Sequence, residues 1–63
     1  MDPIQKIKIL NEIRILEQSI DNRKRLLTLP DKTEKFKWHH RHMIEHEMKL
    51  IIMLKDKLSK MEK

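Results

Sequence analysis

The chain has 63 residues, no cysteine and no glycine, 40% charged side chains and a net charge of +5. That length allows one small domain. Its core alone buries only roughly 60% of the unfolded chain's surface, so chains of this size usually add disulfides, a metal or a second subunit. Without cysteine there are no disulfides, thiolate zinc sites or thiol catalysis; without glycine there is no phosphate-cradling loop and no typical tight hairpin turn.

Ile, Leu, Lys, Glu, Arg and Met dominate, and most of these favour helix, so the fold class is all-α. The opening MDPIQKIKIL carries an acid early and lacks a long apolar core with a small-residue cleavage site, so it does not read as a signal peptide. The longest apolar run, Leu50 to Leu54, is far short of the ~20 residues that a membrane span needs. A cytoplasmic protein without integral membrane association is expected.

Pro3 suits the first turn of a helix, where its missing N–H costs nothing, and Asp2 can cap it. The pattern predicts a first helix over about 3–29, because Pro30 cannot continue it and disfavours helix in the residue before. A turn at 30–31 follows. Asp31 then reads as an N-cap, with Glu34 at capping-box spacing, opening a second helix over about 32–62. Two helices of similar length across so short a turn fold back as an antiparallel αα-hairpin, a single domain spanning 1–63.

Placing residues ~100° apart puts Ile9, Leu10, Ile13, Leu16, Ile20 and Leu27 on one stripe of the first helix. In the second helix His40, Ile44, Glu47, Ile51, Leu54, Leu58 and Met61 alternate by four and three, a heptad seam with two polar intrusions. A turn at 30–31 sets opposite each other residues whose numbers sum to about 61: Ile13 with Met48, Leu10 with Ile51, Ile9 with Ile52. The same register brings His40 near Asp21 and Glu47 near Arg14. Polar seam residues of this kind fix register and partner in coiled coils, and a histidine among them adds the prospect of pH sensitivity.

The two stripes leave apolar residues over. Ile4, Ile7, Ile15, Leu26 and Leu29 point away from the first seam, and Leu50–Leu54 runs all the way round the second helix. A helix apolar on every side is buried on every side. One hairpin cannot cover it, so a homodimer of hairpins forming a four-helix bundle is expected. Its core and dimer contacts are assigned to Ile13, Leu16, Ile20, Ile44, Met48, Ile51, Ile52, Leu54 and Leu58.

His39, His42 and His46 share a face of the second helix, and His42 and His46 have the spacing that lets two imidazoles reach one zinc. No carboxylate or thiolate partner from another element is evident, so they read as solvated or interface side chains, and no metal or other cofactor is expected. Residues 42–46 also spell H-x-x-E-H, a zinc-protease signature whose third ligand and substrate cleft require a much larger domain; here it reads as chance. Ser19 and Ser59 lack a base and orienter. No catalytic residues are assigned and no enzyme is expected.

Charge is more informative. Residues 23–42 hold Arg23, Lys24, Arg25, Lys32, Lys35, Lys37 and Arg41 against Asp31 and Glu34, which is the whole net charge of the chain. Hairpin formation gathers it at the tip, together with Phe36 and Trp38, the two aromatic residues. Phe36 falls on the seam; Trp38 projects away from it, as an interface anchor does. Met43, Met48 and Met53 suit either an adaptable binding surface or plain core filling. The expected function is a regulator, inhibitor or adaptor that binds a protein partner. The alternative is RNA or DNA binding through the basic tip, where cations meet phosphates and Trp38 stacks on a base.

In length and hairpin plan the chain resembles plasmid-encoded RNA-binding helical hairpins that dimerise into four-helix bundles. The resemblance is one of architecture alone and assigns no residue.

Overall fold

The computed structural model describes residues 3–62, so the expected Asp2 cap lies outside the described residues. Two helices account for most of them: α1, Pro3–Leu27, and α2, Glu34–Met61. They pack against each other as an antiparallel hairpin, a rod of 48 × 15 × 11 Å. No helix among the described residues is long and apolar enough to cross a membrane.

Both helices stop short of their expected limits at the connection. α1 ends at Leu27 because its last turn tightens: Thr28 N–H donates to the Arg25 carbonyl at 3.1 Å and Leu29 N–H to the Leu26 carbonyl at 3.3 Å. The Thr28 hydroxyl donates to that same Arg25 carbonyl at 2.7 Å, giving it a second donor. This winding-down precedes Pro30, whose ring disfavours helix at Leu29.

The N-cap of α2 is Thr33, and the Asp31 assignment is corrected. Thr33 has extended backbone, its Oγ1 accepts from Phe36 N–H at 3.2 Å, and its carbonyl accepts from Lys37 N–H at 3.1 Å. Glu34 falls in the first turn, where a carboxylate complements the helix dipole. Starting at Glu34 leaves residues 28–33 to reverse the chain.

The seam of α2 is as the heptad predicts: His40, Ile44, Glu47, Ile51, Leu54, Leu58 and Met61 are all buried or half-buried. On α1 the buried or half-buried stripe is Lys6, Ile9, Ile13, Leu16, Ile20, Arg23 and Leu27. Leu10 is exposed and drops out; Lys6 and Arg23 enter. Ile9, Ile13, Ile20 and Ile51 form the buried centre, with Leu16, Ile44, Leu54, Leu58 and Met61 packed against it. Met48 and Ile52 are exposed on the hairpin and take no part in this core.

The register also needs correction. Lys6 reaches Glu62 at 3.0 Å, Glu17 shares a groove with Met48, Ile51 and Ile52, and Arg23 pairs with Glu47. These pairs place α1 residues against α2 farther along than a turn at 30–31 allows, by about two helical turns of 5.4 Å. The pairings of Ile13 with Met48, Leu10 with Ile51 and Ile9 with Ile52 are lost. So are those of His40 with Asp21 and Glu47 with Arg14. The longer connection permits this slide, and the slide seats Arg23 between His40 and Glu47.

Candidate functional site

At the tip, Lys24, Arg25, Lys32, Lys35 and Arg41 are exposed, and Lys37 is half-buried. Two of these lean on neighbours: Lys32 Nζ lies 5.2 Å from the Phe36 ring centroid, and Lys37 Nζ is 4.0 Å from Glu34 Oε1. Phe36 is half-buried and its ring meets His40 edge-on at 4.4 Å, so it closes the seam as its spacing predicts.

Trp38 stands outside this packing, 61% exposed on the side of α2 away from α1. Its indole stacks on the His42 ring, with centroids 4.4 Å apart and planes inclined by 23°. The two residues are four apart, one helical turn, so α2 itself aligns them. The stack packs the largest exposed side chain against a neighbour on its own helix. Along the same outer side of the helix lie Glu34, Lys35, Arg41, Glu45 and Lys49, all exposed. Trp38 thus sits in mixed charge, with carboxylates one turn before and two turns after it.

Arg23 does not belong with the tip cations. Its side chain enters the seam, where Nε donates to Glu47 Oε1 at 2.7 Å and Nη1 lies 2.8 Å from His40 Nδ1. The Arg23 and Glu47 side chains are only 20% and 8% exposed. A guanidinium only donates, so His40 Nδ1 must accept, which fixes a neutral imidazole with its proton on Nε2. Burial, then the Arg23 charge, then the neighbouring His39 hold the His40 pKa below its ordinary 6.5. The layer is polar, internally paired and closed to phosphate by Glu47.

His39, His42 and His46 are exposed. His39 packs edge-on to His40 at 5.3 Å while His42 is taken up by Trp38. Among the described residues no three His, Asp or Glu side chains are grouped as metal ligands. Two features escaped the sequence reading. The Trp38–His42 stack was available from spacing alone, and Arg23 was available by continuing the heptad from Ile9 and Leu16. No family model matches the chain, nor does any curated protein or solved structure.

Proposed function

We propose that this hairpin is a non-enzymatic binding module that self-associates into a four-helix bundle and regulates, inhibits or adapts a protein partner through the outer face of α2. The observation that carries the partner reading is the Trp38–His42 stack. A large aromatic already packed against a neighbour loses less side-chain entropy on binding, and Trp is among the residues most enriched in interface hot spots. The mixed charge around Trp38, with Glu34 and Glu45 beside Lys35 and Arg41, suits a protein surface of mixed charge.

Self-association is supported by surface area. The hairpin exposes 5279 Å², where a compact monomer of its 7.8 kDa exposes about 4,400 Å² by the usual scaling. The excess comes from the rod shape, 48 Å long, whose uncovered sides a second hairpin can bury.

The second reading, nucleic-acid binding, rests on the five exposed tip cations. It requires a salt dependence of about 0.9 per phosphate on a log–log plot for duplex DNA. Affinity capture from nuclease-treated extract with wild type and Trp38→Ala separates the two. The protein reading expects a partner retained after nuclease and lost in Trp38→Ala, with Lys35→Ala nearly neutral. Nanomolar binding of an RNA or DNA probe at physiological salt, lost in a Lys24→Ala/Arg25→Ala/Lys35→Ala variant, reverses the assignment.

A further inference from the structure

The hairpin has two flanks beside its seam, and they differ in charge. One carries a groove of about 450 Å³ lined by Glu17, Met48, Ile51, Ile52 and Lys55. At ~100° per residue this flank also presents Arg14, Asp21 and Lys24 from α1 and Arg41 and Glu45 from α2. All five are exposed, so its apolar residues stand between solvated charges.

The opposite flank also carries a groove of about 450 Å³, with Ile15, Ser19, Asn22 and Leu26 along its α1 wall and His40 on α2. The α2 residues on this side, by the same geometry, are His39, Met43, His46, Leu50 and Met53. Over residues 15–26 and 36–53 the flank presents no formally charged side chain beyond the internally paired Arg23; by the same geometry Lys8, Glu12 and Lys57 lie on it toward the open end of the rod and Lys35 toward the tip. Ser19, Leu26, Met43 and Leu50 are already half-buried, whereas Ile15 is 64% and Met53 66% exposed.

We infer that a second copy of this chain docks on the flank built from Ile15, Ser19, Leu26, Met43 and Leu50, and that the Met48–Ile52 flank stays open to solvent. This rests on the self-association reading and specifies its face. The occupant follows from charge. Each copy carries +5, so two copies meet with least repulsion over the uncharged middle of this flank, while an acidic foreign partner is drawn to the tip or the charged flank instead. Docking there also covers the open side of the Arg23–Glu47–His40 layer, in which the Arg23 and Glu47 charges pair with each other. A two-fold axis presents the same flank on both copies, as an isologous interface requires.

Sedimentation equilibrium on the full chain and two charge insertions tests the assignment. Ile15→Glu on the proposed face and Ile52→Glu on the other flank replace side chains that are 64% and 66% exposed on the hairpin, so neither disturbs its internal core. The expected result is a wild-type dimer, an Ile52→Glu dimer, and an Ile15→Glu chain whose dissociation constant rises by at least tenfold. Leu50→Glu should dissociate likewise. A wild type that is monomeric throughout overturns self-association itself. A wild-type dimer broken by Ile52→Glu, whether or not Ile15→Glu also breaks it, overturns the choice of face and leaves self-association standing.

Discussion

Arg23 engages two residues that lie seven apart on α2, one through Nε and one through Nη1. Removing either end leaves the other half-dry, and hydrogen bonds to charged groups contribute about 1.5–3 kcal/mol each. Glu47→Ala should therefore lower stability by about 2 kcal/mol, read from the urea midpoint. Arg23→Leu/Glu47→Leu together should recover most of that loss, since an apolar pair of similar volume often equals a buried ion pair. Failure of the double variant to recover would show that the layer contributes more than its pairing. His40 adds a pH term. Its pKa in the folded chain lies below the unfolded value near 6.5, so the unfolded chain takes up the proton more readily. Its contribution is complete above about pH 6.5 and is lost as pH falls through the lower folded value. Melting temperature should fall on acidification over that window, and His40→Leu should flatten the fall; an unchanged slope in that variant would assign the effect to another group.

At the scale of the element, the start of α2 depends on which of two nearby caps the chain uses. Thr33→Ala removes the acceptor of Phe36 N–H and should cost about 1 kcal/mol, while Asp31→Ala should be close to neutral. The reverse order would restore Asp31 as the cap. Much of this element was readable from sequence: all seven α2 seam residues are buried or half-buried as their alternation predicts. α1 was harder for a physical reason. Lys6 and Arg23 occupy seam positions with long stems that lie along apolar surface, so hydrophobicity alone passes over them and takes Leu10 instead. The register failed with the connection. Pro30 marks a turn without saying how many residues make it, and Asp31 and Thr33 both offer a capping side chain. Since Arg23 reaches Glu47 only in the slid register, the polar layer could not be located until that length was known. Trp38 was correctly read as outward-facing, but its exposure did not reveal that His42 holds it.

As a whole molecule the hairpin is a thin rod whose centre is four buried isoleucines, none fully enclosed. Two helices bury each other on one side only, and Ile7, Ile15, Met48, Ile52, Met53 and Trp38 remain on the surface. A core this narrow leaves little margin once chain entropy is counted. Folding and association should therefore be coupled, so that the melting temperature rises with protein concentration. An unchanged melting temperature over a hundredfold range of concentration contradicts that coupling. The most direct measurement is sedimentation equilibrium of the unmodified chain at micromolar concentration, with helicity followed by circular dichroism on the same samples. The expected result is a mass of twice 7.8 kDa, with mass and helicity falling together on dilution. A species at 7.8 kDa that keeps its full helicity would contradict it.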